Sequence, residues 1–225
     1  MPETGIGLLE ILSLVAILLP LIPVLIVFIS RTYKEDTLAL FMGLCMVSFI
    51  QNLILYIPRF VQLDLYFITA SFQLIDYVIV LILLRRVMEG RWLREGTKIL
   101  LVSFVSIVIT IYSTRGVQAY FANIEVVQAL MMILLNFIVL LQLIRRHDIF
   151  IFVCPMFWIA GGTFFYYIMF LLTQSLPEYN ATLQGIPLQQ KKILLLVIIL
   201  MQFIVYIIAA FVAANKRKEE HAGMY

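Results

Sequence analysis

Seven long apolar runs constrain this chain more than any other feature. They lie at about 6–30, 37–58, 62–84, 97–114, 120–144, 149–174 and 191–214. An α-helix needs about 20 residues to cross about 30 Å of hydrocarbon, and these runs are too long and too uniformly apolar for the alternating strands of a β-barrel. With 64% hydrophobic and 13% charged residues, the chain is expected to be an all-α integral membrane protein. We predict one domain, 1–225, folded as a seven-transmembrane-helix up-and-down bundle.

The lysines and arginines are divided unevenly between the two sets of alternate loops. One set holds twelve of the sixteen, namely Arg31, Lys34, Arg85, Arg86, Arg91, Arg94, Lys98, Arg145, Arg146, Lys216, Arg217 and Lys218, and the other holds Arg59, Arg115, Lys191 and Lys192. Because these residues accumulate in cytoplasmic loops, the amino terminus is predicted to lie outside and the carboxyl terminus in the cytoplasm. The bias accounts for the net charge of +3 without nucleic-acid binding. It favours a plasma membrane or a bacterial inner membrane.

Three of the runs repeat a short pattern in which one polar residue precedes an aromatic residue. The polar residues are Asp76 in the third run, Asn136 in the fifth and Gln202 in the seventh. If the odd-numbered runs share a direction across the membrane, these three side chains lie at similar depth. A carboxyl or amide group in hydrocarbon is costly and usually serves a function.

Helical spacing sorts the other intramembrane polar residues into faces. In the third run, Thr69, Gln73 and Asp76 follow one another by four and three residues and therefore share one face. Because polar groups avoid lipid, we expect such faces to converge on an outward-opening cavity around Asp76. The candidate ligand or proton site comprises Asn52 and Tyr56 from the second run, Thr69, Gln73 and Asp76 from the third, Glu125 and Asn136 from the fifth, Tyr166 from the sixth, and Gln202 and Tyr206 from the seventh.

A structural role is the alternative for these polar residues. Asp76, Asn136 and Gln202 could hydrogen-bond to one another and hold the helices together, at about 0.6 kcal/mol each on average. An amide would serve that purpose as well as a carboxyl group does, and a carboxyl group costs more to bury. The choice of aspartate at position 76 therefore favours the functional interpretation.

Small residues and prolines predict how some of the helices pack. In the fourth run, hydroxyl side chains step by three, four and three residues: Ser103, Ser106, Thr110 and Ser113. We expect this narrow strip, like the adjacent Gly161 and Gly162, to allow close helix packing. Pro20 and Pro23 are expected to kink the first run, and Pro155 the sixth.

Several classes of active site are missing from the sequence. The only histidines, His147 and His221, fall in cytoplasmic segments, which excludes an intramembrane bis-histidine haem or a histidine-rich zinc site. The topology is similar to that of receptors and microbial rhodopsins, but the seventh run has no lysine in its interior to bind retinal. Cys45 and Cys154 are expected to be reduced thiols. We predict that the chain is not an enzyme and holds no cofactor and no metal.

The favoured function is a seven-helix membrane sensor or receptor-like module that signals through a cytoplasmic partner. Every loop is short, so signalling requires another protein. A small ion- or proton-coupled carrier or channel is one alternative, although no polar residue follows Asp76 between Val78 and Leu84. The other alternative is a structural subunit of a larger membrane complex. The expected partners are therefore the bilayer and either a cytoplasmic signalling protein or another membrane subunit.

Overall fold

The computed structural model describes residues 3–56, 65–116, 124–145, 150–175 and 188–222. The helices are α1 (Glu3–Leu18), α2 (Leu21–Ile29), α3 (Asp36–Tyr56), α4 (Leu65–Val87), α5 (Arg91–Arg115), α6 (Glu125–Arg145), α7 (Pro155–Ser175) and α8 (Leu188–Ala222), with short 3-10 turns at Thr32–Lys34 and Ile151–Val153. Seven segments are long and apolar enough to cross a membrane, the first of them formed by α1 and α2 together. This confirms the prediction of an all-helical chain with seven possible membrane spans.

The first span is interrupted at the position of a proline. Helix α1 ends at Leu18 and α2 begins at Leu21, so that Pro20 lies between them. Proline lacks the backbone N–H that would continue the helical hydrogen bonds, and its ring clashes with the preceding turn. Pro23 lies in the first turn of α2, where no intrahelical partner for its nitrogen is needed. Pro20 therefore divides the span, whereas Pro23 is tolerated.

Pro155 does not kink the sixth span, contrary to the prediction. It is the first residue of α7, after the 3-10 turn Ile151–Val153. Proline is favoured at the first helical position because its ring already has the helical φ angle. The residue before a proline is disfavoured in the α conformation, and Cys154 is extended, with φ −91° and ψ 112°. The predicted start of this helix at residue 149 was therefore too early.

Two helices continue beyond the apolar runs that predicted them. Helix α5 begins at Arg91 rather than at residue 97, and α8 continues to Ala222 rather than ending at residue 214. The added turns are rich in Arg, Lys and Glu, which are good helix formers. Hydropathy identifies the part of a helix that is apolar enough for the membrane interior. The helix itself continues through the polar residues beyond that part.

Six of the spans form a closed ring. Helices α1 and α2 contact α3, α3 contacts α4, α4 contacts α6, α6 contacts α7, α7 contacts α8, and α8 returns to α1 and α2. The remaining span, α5, packs mainly against α4. Within the apolar 18-residue stretch of each span, 17% of the residues of α5 are buried, against 22% to 39% in the other spans. Helix α5 is therefore peripheral to the ring.

A glycine brings α7 and α8 together. A Cβ atom added at Gly162 would lie 3.1 Å from Cγ1 of Val205 and 3.2 Å from Cε1 of Tyr206. The same addition at Gly161 would meet nothing within 4 Å. The prediction of close helix packing therefore holds for Gly162, and it does not hold for its neighbour.

The hydroxyl stripe of α5 does not pack against another helix. The side chains of Ser103, Ser106, Thr110 and Ser113 are all exposed. Each hydroxyl donates a hydrogen bond to the carbonyl four residues earlier on α5, at 2.8 Å for Ser106, Thr110 and Ser113. Because this bond satisfies the hydroxyl within its own helix, the residue can remain exposed. The prediction of close packing was wrong for the chain by itself.

Candidate functional site

A polar cavity of about 120 Å³ lies inside the ring, between α3, α4, α6, α7 and α8. A cavity of this size has room for several water molecules or for a ligand of a few non-hydrogen atoms. Its polar lining residues are Ser48, Gln51, Asn52, Gln73, Asp76, Glu125, Gln128, Thr163, Tyr166, Tyr167, Gln202 and Tyr206, and its apolar lining residues are Leu44, Val80, Phe170, Ile199 and Phe203. No described residue of α5 or of the divided first span lines the cavity.

Asp76 projects from the middle of α4 into this cavity. Gln73 and Val80 precede and follow it on the cavity face, three and four residues away. The Oδ1 atom of Asp76 is inaccessible to solvent and accepts no hydrogen bond from any described residue. An unpaired buried oxygen costs about 1–3 kcal/mol relative to a hydrogen-bonded one. Asp76 is therefore a costly residue for the fold unless something else binds to it.

Glu125 and Gln73 connect α6 with α4. Gln73 donates a hydrogen bond from Nε2 to Oε1 of Glu125, with a distance of 2.9 Å. One turn further along α6, Gln128 donates from Nε2 to the backbone carbonyl of Gln73 at 3.4 Å. Both bonds join helices that make few other contacts with each other. The polar residues therefore hold α4 and α6 together at this end of the cavity.

A second polar group joins α7 and α8. The Thr163 hydroxyl and the Tyr206 hydroxyl lie 2.8 Å apart, and Gln202 donates from Nε2 to the Tyr206 oxygen at 2.9 Å. Thr163 also donates to the carbonyl of Ile159 on its own helix at 2.8 Å, so the Tyr206 hydroxyl is the donor in the Thr163 pair. This group lies beside Gly162, where a Cβ atom added on α7 would meet the Tyr206 ring at 3.2 Å. Contacts at Tyr206 are therefore coupled to the α7–α8 interface.

Helix α3 completes the polar lining. Asn52 donates from Nδ2 to the backbone carbonyl of Ala16 on α1, at 3.2 Å. Ser48, one turn away, donates to the carbonyl of Leu44 on its own helix at 3.1 Å. The amide of Asn52 thus connects the cavity wall to the divided first span.

The lining holds two carboxyl groups and several aromatic rings. Asp76 and Glu125 are its two ionisable carboxyl groups, and no lysine, arginine or histidine lines the cavity in the described part of the chain. The ring of Tyr166 lies 5.2 Å from that of Tyr167 in an edge-on arrangement and 6.1 Å from that of Phe170 in a stacked one. Electron-rich faces and carboxyl groups both favour a positively charged or proton-donating ligand.

Beyond Val80 the described interior of the ring is apolar except for Asn136. On α4 the next positions facing inward are Leu84 and Met88, both fully buried. Val139 on α6 and Ala210 on α8 are also fully buried at this end. The rings of Tyr77 and Phe104 pack 4.3 Å apart where α4 meets α5. Close apolar packing therefore closes the cavity toward the end of the bundle where α4 carries Arg85 and Arg86.

The structure brings together most of the residues in the predicted site. Those that line the cavity are Asn52, Gln73, Asp76, Glu125, Tyr166, Gln202 and Tyr206. Thr69 does not line it, although it shares a helical face with Gln73. Tyr56 is the last residue of α3, and its side chain lies outside the described part of the structure. The assignment of these residues to a ligand or proton site stays a prediction.

Asn136 also fails to reach the cavity. It is fully buried and donates from Nδ2 to the carbonyl of Met132, one turn earlier on α6, at 2.7 Å. Glu125 lies three turns nearer the opposite end of this helix and occupies the cavity in its place. Two of the three repeated polar residues, Asp76 and Gln202, therefore share one cavity, while the third lies deeper in the ring.

Five polar lining residues were not in the predicted site: Ser48, Gln51, Gln128, Thr163 and Tyr167. Gln128 follows Glu125 by three residues and therefore lies on the same face, so helical spacing could have identified it. Gln51 adjoins the predicted Asn52, and no spacing rule distinguishes which of the two faces inward. Among the described residues no group of three or more His, Cys, Asp or Glu side chains could hold a metal ion.

No protein-family model matches the chain, and no curated protein or solved structure matches it either.

Proposed function

We propose that this protein is a membrane sensor or receptor-like module that binds a small ligand or a proton in the cavity around Asp76. One observation carries the proposal: the polar groups of the cavity and the packed apolar side chains lie toward opposite ends of the ring. Five helices contribute polar groups to the cavity that holds Glu125, whereas Leu84, Met88 and Val139 are fully buried toward the opposite end. A polar site with apolar packing beyond it is suited to detecting a solute without transporting it.

The orientation of the chain is part of the proposal. The end of the bundle with Arg85, Arg86 and Arg145 carries most of the basic residues, and basic residues favour the cytoplasmic side. The amino terminus and the mouth of the cavity then lie outside, and the carboxyl terminus lies in the cytoplasm. This arrangement fits a plasma membrane or a bacterial inner membrane.

Helix α8 is the proposed route of the signal. Gln202 and Tyr206 line the cavity, and the same helix continues to Ala222, beyond the apolar part of the span. A ligand that moves the Tyr206 side chain would therefore act on a continuous helix that reaches the basic side. The signal would pass from there to a cytoplasmic protein, because the described loops are too short to act alone.

A spin-label experiment tests the coupling between the cavity and the basic side. Labels are attached at Ile144→Cys on α6 and Asn215→Cys on α8, two exposed positions near that side, with Cys154 replaced by Ala. The variant Asp76→Asn removes one of the two ionisable carboxyl groups from the cavity. We expect the distance between the labels to change by about 1–2 Å, the usual size of a helix shift in signalling. Ser106→Ala on α5 is the matched control and should leave the distance unchanged.

If the Asp76→Asn variant had the same distance distribution as the wild-type protein, the proposed sensor function would be contradicted. Two further measurements separate the alternatives. Flux of protons or of a bound solute into liposomes that contain the purified protein would identify a carrier or channel instead. Recovery of a stoichiometric membrane partner after gentle extraction, without any effect of Asp76→Asn, would identify a structural subunit.

A further inference from the structure

Two buried side-chain oxygens of cavity residues have no hydrogen-bond partner among the described residues. A carboxylate only accepts hydrogen bonds, so the Gln73 amide presents its nitrogen to Glu125 and turns its Oε1 away from it. This Oε1 is buried and has no partner among the described residues, and the same is true of Oδ1 of Asp76. Gln73 and Asp76 both line the cavity on one face of α4. The two unpartnered atoms that belong to cavity residues are therefore both oxygen acceptors.

Two amides around the cavity already use one of their N–H donors. The amide nitrogen of Asn52 donates to the carbonyl of Ala16, and that of Gln202 donates to the hydroxyl of Tyr206. An anionic ligand would therefore meet two carboxyl groups and no lysine, arginine or histidine of the described lining. A ligand rich in N–H donors would satisfy the oxygens that the protein leaves unpaired.

The aromatic side chains favour a cation with an apolar body. Tyr166, Tyr167, Phe170 and Phe203 line the cavity together with Tyr206. Aromatic faces attract organic ammonium groups, whereas a bare metal ion needs several oxygen ligands around it. The lining thus offers hydrogen-bond acceptors for an ammonium group and apolar contact for the carbon atoms attached to it.

We infer that the ligand of the cavity is a small primary ammonium ion. The side chains of Asp76 and Gln73 turn toward the ligand, so that its N–H groups bind their Oδ1 and Oε1 atoms. Asp76 supplies the negative charge, and the carbon atoms of the ligand pack among the tyrosine and phenylalanine rings. The volume of about 120 Å³ limits it to a few non-hydrogen atoms. This inference rests on the proposed function, because it names the class of ligand that the sensor would detect.

Propylammonium is a suitable probe, since it combines three N–H donors with a short apolar chain. The wild-type protein is placed in nanodiscs of phosphatidylcholine, whose headgroup has no N–H donor, and its thermal unfolding is measured at pH 7. We expect propylammonium chloride to raise the Tm in a saturable manner. Sodium propionate, 1-propanol and sodium chloride at equal concentration test the anion, the neutral isostere and the simple cation, and none of them should raise the Tm.

Substitution of Asp76 tests where the ammonium group binds. Asp76→Asn should weaken propylammonium binding by roughly ten- to hundredfold, the expected loss for a charge-assisted hydrogen bond. Ser113→Ala on the exposed face of α5 is the control and should change the affinity less than about twofold. The inference is overturned if propylammonium has no effect on wild type, if it acts no more strongly than 1-propanol or sodium chloride, or if Asp76→Asn binds it equally well.

The ammonium group could also belong to a lipid. Adding phosphatidylethanolamine to the nanodiscs tests this source, because its headgroup is a primary ammonium. A rise in Tm that depends on Asp76, together with loss of the propylammonium response, would support the same chemistry with a lipid as its source. Asp76-dependent binding of 1-propanol would reject the ammonium class and leave the cavity as a ligand site. The spin-label distances test the sensor without any ammonium compound, so the two proposals can fail separately.

Discussion

Two polar stripes with the same helical spacing have opposite environments in this protein. On α4, Gln73 and Asp76 face a cavity inside the ring. On α5, the hydroxyl stripe from Ser103 to Ser113 faces outward and is exposed. Spacing by three and four residues shows that side chains share a face, and it does not show which way that face points.

The chemistry of the side chains explains the difference. A serine or threonine hydroxyl can donate to the carbonyl one turn earlier, as Ser106 does to Val102 at 2.8 Å, and can then face lipid. A carboxyl group has no donor when ionised, and an amide can satisfy only part of its capacity within its own helix. Asn136 illustrates this limit, because its Nδ2 bonds to Met132 while its Oδ1 has no partner among the described residues. Such groups are placed inside the ring.

The largest expected effect is a loss of stability at one of two adjacent glycines of α7. Gly162 faces another helix closely and Gly161 does not. Gly162→Val should destabilise the protein by about 2–3 kcal/mol, since an added Cβ meets Val205 at 3.1 Å and overpacking of this kind is costly. Gly161→Val, with nothing within 4 Å of its Cβ, should cost less than about 1 kcal/mol. Unfolding of detergent-solubilised protein by titration with SDS measures both. Equal losses would show that the α7–α8 interface is not tightly packed.

The next largest expected effect is a gain in stability. Asp76→Leu should stabilise the protein without ligand by about 1–2 kcal/mol, because it removes a buried oxygen that has no described partner. Ser106→Leu on α5 should change stability by less than about 0.5 kcal/mol. The same SDS titration compares the two variants. A loss of stability in Asp76→Leu would indicate that the aspartate holds helices together, which was the structural interpretation of this residue.

The smallest effect concerns hydroxyl groups. Tyr206→Phe removes the bonds to Thr163 and Gln202 and should cost about 1 kcal/mol, near twice the average for one hydrogen bond in a membrane protein. Ser113→Ala removes a hydroxyl bonded only to its own helix and should change stability by less than about 0.3 kcal/mol. Thermal unfolding in detergent can measure the difference. If the two losses were equal, the contrast between buried and exposed hydroxyl groups would be refuted.

The predicted site agreed best with the cavity lining at residues whose position followed from several features of the sequence at once. Asp76 and Gln73 share a face, lie in mid-span and cannot satisfy themselves, and both line the cavity. Asn136 also lies in mid-span and cannot satisfy its Oδ1 within its own helix. Its depth on α6 was misjudged because the height of a helix relative to its neighbours does not follow from its apolar run. The packing prediction for the hydroxyl stripe of α5 was wrong because it rested on helical spacing alone.

The sequence alone determined the number of helices that are long and apolar enough to cross a membrane, because each apolar run is too long and too uniform for a barrel strand, and it predicted that carboxyl and amide groups avoid lipid. Tertiary structure decided which of these groups meet. The ring places Asp76, Glu125 and Gln202 around one cavity and leaves α5 outside, because the rotation and height of each helix depend on contacts such as that of Gly162 with Tyr206. Those contacts join residues far apart in the chain, and no local pattern encodes them.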